Sequence, residues 1–125
     1  MTPCRILLID DDDLFRKSVK LMLERAGNSV VEAVEGGEGL RLYRAGGIDV
    51  VITDLIMPGK EGLETIRELR ALDPEVRIVA VSGGGRVNAF DYLPVAKAFG
   101  ALRVLDKPFT DTDLLGAIQA VLGRA

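Results

Sequence analysis

The chain has 125 residues, of which 48% are hydrophobic and 28% are charged, and its formal net charge is −3. These values predict one folded domain over residues 1–125 with a sizeable core, and they exclude a disordered chain. The small negative charge argues against direct binding to nucleic acid, which needs a concentrated basic face. No apolar run approaches the roughly 20 residues of a membrane-spanning helix, and the first residues do not form a signal peptide.

The cysteine and histidine contents narrow the possible chemistry. The chain has a single cysteine, Cys4, and no histidine. A single cysteine cannot form an internal disulfide, which predicts a cytoplasmic protein, and we expect Cys4 to pack as a small apolar residue. The absence of histidine excludes a Ser-His-Asp triad, a histidine general base and histidine metal ligands. Any phosphohistidine in the reaction must therefore belong to another protein.

The first half of the chain alternates between short apolar runs and amphipathic segments. We predict strands over residues 4–9, 29–33 and 49–53, and helices over residues 14–26 and 37–44. The first helix is expected to turn one face inward, formed by Phe15, Val19, Met22 and Ala26. Glycines at positions 27, 46 and 47 are typical helix stops.

The second half continues the same alternation. We predict strands over residues 77–81 and 102–105, and helices over residues 61–72, 92–99 and 111–122. The short helix over residues 92–99 rests on Asp91 as a cap and Pro94 in the first turn. Thr110 or Asp111 is expected to cap the last helix.

Strict alternation of five strand–helix pairs predicts a parallel sheet with helices on both faces. Right-handed crossovers then favour a doubly wound, flavodoxin-like (βα)5 sandwich of the α/β class, with a five-stranded parallel sheet in the order 2-1-3-4-5. In such folds ligands bind outside the carboxyl ends of the strands, near the point where the strand order reverses.

Polar residues follow four of the predicted strands. Asp10 and Asp11 end the first strand, Asp54 the third and Ser82 the fourth, and Lys107 follows the fifth. Taken singly, each has a plainer interpretation as a helix cap, a turn residue or a surface lysine. In the order 2-1-3-4-5 these four strands are neighbours, so their ends would form one cluster, which is hard to obtain by chance.

This cluster has the composition of a phosphoryl-transfer site. Three crowded carboxylates repel one another, and a shallow site of this kind suits Mg²⁺, which keeps several waters. Mg²⁺, an ammonium and a hydroxyl can hold and neutralise phosphoryl oxygens, and the Asp54 carboxylate could attack phosphorus to form an aspartyl phosphate. A backbone amide at Gly83 could add a donor. No Walker lysine motif is present.

Four motifs occur in order at the strand ends. They are Ile-Leu-Leu-Ile-Asp-Asp-Asp at residues 6–12, Asp-Leu-Ile-Met-Pro-Gly at residues 54–59 with Gly62, Ser82-Gly83, and Lys107-Pro108-Phe109. In these motifs the sequence resembles the receiver domain of two-component response regulators. The resemblance covers essentially the whole chain, and its motifs are highly specific.

The resemblance implies a signalling switch rather than an enzyme, beyond transfer onto and hydrolysis from its own aspartate. Asp54 would be the phosphoacceptor, charged by a partner histidine kinase or phosphotransfer protein in a phosphorelay. Ser82 and the Gly83 amide would hydrogen-bond the phosphoryl group, and Lys107 would pair with one of its oxygens. The Lys107–Pro108 bond is often cis in this family. The added charge of about −1.5 to −2 would bias a two-state equilibrium that a downstream effector protein or output domain reads.

The resemblance also implies a ligand set for Mg²⁺. Asp11 and Asp54 would bind the ion directly, together with the backbone carbonyl of Ile56. Asp10 would act largely through water.

Two features depart from the family. Val104 stands three residues before the lysine, where the family has its switch aromatic. The segment between Ser82 and Gly100 is also a few residues longer than usual. Coupling to partners through this part of the chain must therefore work differently or be weak.

Two alternatives stay open. A phosphatase of the haloacid-dehalogenase type shares the fold class and the aspartyl-phosphate chemistry, but Leu14 stands where its Asp-x-Asp motif expects threonine or valine, and no acid pair follows the fourth strand. A pseudo-receiver would bind partners without phosphorylation, although all the acidic and basic site residues are present.

Overall fold

The strands and helices follow the predicted order in the part of the chain that the structure describes. The computed structural model describes residues 3–55, 62–82, 98 and 101–123. These residues contain the strands β1 (Arg5–Ile9), β2 (Ser29–Ala33), β3 (Val50–Asp54), β4 (Ile78–Ser82) and β5 (Arg103–Asp106). They also contain the helices α1 (Asp13–Arg25), α2 (Gly36–Arg44), α3 (Gly62–Leu72) and α4 (Asp111–Val121). Within the described ranges, every helix is too short or too polar to cross a membrane.

The five strands form one parallel sheet in the order β2-β1-β3-β4-β5. This confirms the predicted α/β fold and its strand order. Strands β3 and β4 are buried along their whole length, as expected when helices cover both faces of the sheet. Because the strands are parallel, their carboxyl ends all meet at one side of the sheet, which we call the carboxyl edge.

The core has two layers, one on each face of the sheet. Ile6 and Leu8 of β1 point into the layer that α1 and α4 cover, whereas Leu7 and Ile9 point into the opposite layer, which α3 covers. The helices contribute the buried side chains Val19, Leu23, Leu114 and Ile118 to the first layer and Ile66 and Leu69 to the second. Each such side chain stabilises the fold by roughly 1.5–3 kcal/mol relative to its exposed state.

Cys4 lies just before β1 and is buried in the first core layer. Its backbone N–H and its thiol lie 3.1 and 3.4 Å from the Oδ1 atom of Asn28. Asn28 in turn donates from Nδ2 to the carbonyl of Leu23 at 3.2 Å. The expected burial of Cys4 is confirmed, and the thiol has a polar partner as well as apolar neighbours.

Side-chain caps define where two helices begin. Asp12 caps α1 and accepts a hydrogen bond from the Phe15 N–H at 3.1 Å. Thr110 caps α4 in a reciprocal capping box, in which each residue of the pair Thr110 and Asp113 accepts the other's backbone N–H. Of the two predicted caps for this helix, Thr110 is therefore the one used.

The predicted bounds of four strands were wrong by one residue, although for β1 only the start differs, at Arg5 rather than at residue 4. Strands β3, β4 and β5 each begin and end one residue later than the apolar runs indicated. The reason is that parallel pairing continues into the polar residues, with Asp54 opposite Val81 and Ser82 opposite Asp106. Asp54 and Ser82 are therefore held within the sheet. The helix predicted over residues 92–99 lies outside the described residues, apart from residue 98.

The predicted inward face of α1 is confirmed for Phe15, Val19 and Met22, which belong to the first core layer or pack against it. The prediction missed Arg16 and Leu23, which are buried on the same helix. The Arg16 guanidinium donates to the backbone carbonyl of Asp10 at 2.9 Å. A charged residue therefore occupies a position on the inward face.

Helix α3 begins against the end of β3. The Gly62 N–H donates to the carbonyl of Leu55 at 3.1 Å. A Cβ atom on Gly62 would overlap the backbone carbonyl of Asp54 and the backbone of Leu55. Only glycine allows this approach without a shift of the chain that carries Asp54.

We predict that Gly62→Ala destabilises the protein by roughly 1–3 kcal/mol, because the added methyl group has no space beside rigid backbone. Urea unfolding measures this change. The matched control is Gly116→Ala, since Gly116 lies in α4 with nothing within 4 Å of the added atom. This control is expected to leave stability unchanged or to raise it by up to about 1 kcal/mol. Equal effects of the two substitutions would contradict the predicted overlap.

Candidate functional site

The carboxyl edge brings together the side chains that the sequence marked. Asp10 follows β1, Asp54 and Ser82 are the last residues of β3 and β4, and Lys107 follows β5. Asp10, Asp54 and Ser82 are 1%, 6% and 0% exposed, whereas Asp11 is exposed. The edge therefore presents a partly buried group of charges beside one exposed carboxylate.

The ammonium of Lys107 lies between the buried carboxylates. Its Nζ atom is 3.1 Å from Asp10 Oδ2 and 3.8 Å from Asp54 Oδ2. The Lys107 side chain is 17% exposed, so its charge is only partly screened by solvent. The lysine predicted from the motif thus contacts both acids.

Burial raises the pKa of Asp10 above its ordinary value, while the Asp12 N–H and the Lys107 ammonium oppose that shift. The Asp12 N–H donates to Asp10 Oδ1 at 2.8 Å. A raised pKa means that the folded chain binds this proton more tightly than the unfolded chain does. The protein therefore loses stability as pH rises from the unfolded-state pKa of Asp10 to its folded-state pKa, because the buried carboxyl group becomes ionised. The lost stability is recovered as pH falls back through the same range.

Three carboxylates form a group that can hold a metal ion. One oxygen from each of Asp10, Asp11 and Asp54 lies within 4.8 Å of the other two. Carboxylate oxygens are the ligands that hard divalent cations prefer, and a cation would offset the mutual repulsion of these groups. The donor set therefore fits Mg²⁺ in chemical type.

The structure also describes three further features that the sequence singled out, at Ser82, at the Lys107–Pro108 bond and at Val104. The Lys107 N–H donates to the carbonyl of Ser82 at 2.9 Å, which ties the ends of β4 and β5 together. The Lys107–Pro108 peptide bond is cis, as the family resemblance implied. Val104 is half-buried against the second core layer. Ile56 and Gly83 lie outside the described residues, so their predicted contacts stay predictions.

Arg16 is a site neighbour that sequence reasoning missed. Besides its bond to the Asp10 carbonyl, its Nε donates to Glu32 Oε1 at 3.0 Å and its second terminal nitrogen lies 2.6 Å from Asp13 Oδ1. These bonds to two carboxylates raise the pKa of the guanidinium, against the effect of burial. The helical spacing from Arg16 to Val19 and Leu23 was a signal for its inward position.

Phe15 is a second neighbour that the sequence did not connect with the site. Its ring centroid lies 3.8 Å from Lys107 Nζ, which is within the range of a cation–π contact. The Phe15 ring also meets the Phe109 ring edge to face, with centroids 5.9 Å apart and planes at 89°. Phe109 lies in the same Lys-Pro-Phe motif as Lys107, which was the available signal.

The chain is similar in sequence to a known protein family. The family model of the response regulator receiver domain matches residues 6–119. The transcriptional regulatory protein FixJ of Azorhizobium caulinodans is 35% identical over 123 residues, which cover 94% of this chain and 54% of FixJ. The chain spans about half the length of the first curated relatives that it matches.

Solved structures agree with the sequence match. A response regulator receiver domain protein from Clostridium thermocellum is 35% identical with a TM-score of 0.87, and the match covers 96% of this chain and 94% of that one. The chemotaxis response regulator CheY4 of Vibrio cholerae is 30% identical with a TM-score of 0.85, covering 97% of this chain and all of CheY4.

We predict that Lys107→Gln raises the pKa of Asp10 further in metal-free protein, because the carboxylate loses a positive neighbour and a hydrogen-bond donor. Titration of the Asp10 carboxyl carbon by NMR measures the change. Lys17→Gln is the matched control, since Lys17 is exposed and pairs with Glu32 instead. The assigned pairing is wrong if Lys107→Gln leaves the Asp10 titration where it is in the parent protein.

Proposed function

Because the chain belongs to the response regulator receiver domain family, we propose that it is a signalling switch phosphorylated on Asp54. The donor would be a partner histidine kinase or phosphotransfer protein, since this chain has no histidine of its own. One observation carries the proposal: Lys107 Nζ lies within 4 Å of both Asp10 and Asp54 at an edge where a third carboxylate, Asp11, completes a metal-type cluster.

In the proposed reaction an oxygen of the Asp54 carboxylate attacks the phosphorus of the donor. An O–P bond forms as the P–N bond to the donor's imidazole breaks, and the electron pair stays on nitrogen, which takes up a proton. The Lys107 ammonium would neutralise charge on the transferred phosphoryl group. Self-catalysed hydrolysis of the acyl phosphate would return Asp54 to its starting state.

Mg²⁺ is the cation that we propose for the carboxylate cluster, as is general for receiver domains. When bound, it would supply positive charge to the oxygens of the phosphoryl group. Asp11 and Asp54 would be direct ligands with the Ile56 carbonyl, and Asp10 would act largely through water. Asp10 also keeps Lys107 in place, through the contact at 3.1 Å.

The switch itself would follow from the new charge on Asp54. A phosphoryl group adds about −1.5 to −2 charges and three strong acceptors, which would draw Lys107 and Ser82 towards it, with the Gly83 amide as a further donor. The Ser82 carbonyl already accepts the Lys107 N–H, so a movement of either residue reaches the other. A downstream effector protein or output domain would read the altered surface. We place this exchange in the cytoplasm, where the buried thiol of Cys4 would stay reduced.

The phosphatase and the pseudo-receiver are the remaining candidates. The family match favours the receiver over the phosphatase. The carboxylate cluster of Asp10, Asp11 and Asp54, with Lys107 paired to two of its members, favours a chain that can still be phosphorylated. The experiment below separates all three.

We predict that incubation with phosphoramidate and Mg²⁺ adds one phosphoryl group to the protein, and that Asp54→Asn abolishes the addition. The amide lacks the nucleophilic carboxylate. Intact-mass spectrometry detects the adduct, which is acid-stable and base-labile. Asp106→Asn is the matched control, because Asp106 is also the last residue of a strand, β5, but its side chain is exposed.

Each alternative has its own result in that experiment. An unmodified parent protein would favour the pseudo-receiver, and an adduct that persists in Asp54→Asn would refute Asp54 as the acceptor. Rapid turnover of external phosphomonoesters would favour the phosphatase.

We predict that Asp11→Asn weakens Mg²⁺ binding by about tenfold or more, because one charged ligand is lost from a site with few protein ligands. Calorimetric titration of Mg²⁺ measures this change and requires no phosphorylation. Asp13→Asn is the control, since Asp13 pairs with Arg16 and lies outside the cluster. Unaltered binding by Asp11→Asn would remove Asp11 from the ligand set.

A further inference from the structure

We propose that Phe15 is a positioning residue of the phosphorylation site, whose ring holds the Lys107 ammonium at its working distance from Asp10 and Asp54. The inference rests on the proposed function of Asp54 and Lys107. Through Phe15, helix α1 would take a direct part in the site, in addition to following the acidic residues 10–12 in the chain.

The contact between Phe15 and Lys107 is close. The distance from Nζ to the ring centroid is 3.8 Å, well inside the limit of about 6 Å for a cation–π interaction. The lysine side chain is only 17% exposed, so the contact is shielded from much of the solvent. Such contacts are stronger when the cation is desolvated.

Phe15 belongs to a series of contacts that starts and ends at Lys107. Lys107 Nζ is paired with Asp10 Oδ2, and Asp10 Oδ1 accepts the N–H of Asp12. The Asp12 carboxylate accepts the N–H of Phe15, and the Phe15 ring returns to Lys107 Nζ. The ammonium is therefore held from two directions, by a carboxylate and by a ring fixed to the same loop as that carboxylate.

The ring is itself held in place by its surroundings. Its neighbour in sequence, Arg16, donates to the Asp10 carbonyl at 2.9 Å and so fixes the first turn of α1 on β1. Phe109 packs against the Phe15 ring edge to face. Both rings, with Lys107 and Pro108, line a groove of about 480 Å³ between α1 and the start of α4.

An aromatic ring suits this task because it attracts the ammonium without accepting a strong hydrogen bond. A third carboxylate against Lys107 would compete with a phosphoryl group for its three donors, whereas a ring leaves them available. Nζ is nearer to Asp10 than to Asp54 by 0.7 Å, from 3.8 and 3.1 Å, so a small shift brings it to a group on Asp54. The Phe15 ring would keep the ammonium close to both carboxylates when the Lys107 side chain moves.

The test compares Phe15→Leu, Phe15→Tyr and Met22→Leu. Leucine at position 15 keeps the apolar contact but lacks the π face, and tyrosine keeps the face. Met22→Leu alters the same groove about two helical turns from Phe15 without removing a ring. The first readout is the NMR shift of the Lys107 side-chain protons in unphosphorylated, metal-free protein. The ring current at position 15 should move these signals upfield in the parent, in Phe15→Tyr and in Met22→Leu, but not in Phe15→Leu.

The second readout is the rate of phosphorylation of Asp54 by phosphoramidate at saturating Mg²⁺. Phe15→Leu is expected to slow it by about two- to fivefold, the equivalent of one exposed to partly buried cation–π contact. Phe15→Tyr and Met22→Leu should react at about the parental rate. Combining Phe15→Leu with Lys107→Met should give no further loss beyond Lys107→Met alone, because the ring would act through the ammonium.

Several outcomes would overturn the proposal. An unchanged Lys107 shift in Phe15→Leu would refute the contact, and an unchanged rate would refute its role while leaving Asp54 as the acceptor. An equal loss in the Lys107→Met background would assign Phe15 a purely structural effect. A parent protein that is never phosphorylated would overturn the proposed function and the role of Phe15 with it, although the proton shifts would still report the contact.

Discussion

The mutual repulsion of carboxylates at one edge of the sheet is the constraint that the surrounding structure must satisfy. Asp10, Asp11 and Asp54 offer oxygens within 4.8 Å of one another, and two of the three residues are almost completely buried. Lys107 and the Asp12 N–H offset part of this cost, yet burial still raises the pKa of Asp10. The two apolar core layers provide the stability that tolerates such a site, as is common where function opposes folding.

The parallel sheet explains why so much of this site was predictable from sequence. Once five strand–helix pairs were recognised, the order 2-1-3-4-5 placed Asp10, Asp54, Ser82 and Lys107 at one edge without further information. The structure brings these residues together as predicted. The predictions that failed were the exact bounds of the strands. Apolar runs do not reveal that strand pairing continues through Asp54 and Ser82, because the hydrogen bonds between strands involve backbone groups that every residue carries.

Arg16 and Phe15 were not predicted as part of the site for a different reason. One partner of the Arg16 side chain is the backbone carbonyl of Asp10, which cannot be inferred from residue type because every residue carries a carbonyl. Its other partners are Glu32 in β2 and Asp13 in α1. The helical pattern marked Phe15 only as apolar, and the cation it contacts is 92 positions away in the chain. The contacts expected of Ile56 and Gly83 stay predictions. Val104, where the family resemblance implied an aromatic residue, carries no ring and is half-buried against the second core layer.

The environment of Cys4 gives the molecule an internal chemical reporter. Its thiol is the only one in the sequence, lies in the first core layer and faces the Asn28 amide oxygen, so a thiol reagent gains access when the packing at the start of β1 loosens. The rate of alkylation at low denaturant would therefore follow opening at the start of β1, the strand that leads into Asp10. With no second sulfhydryl to complicate the reading, loosening of the sheet by ligands or phosphorylation can be followed in the unmodified sequence.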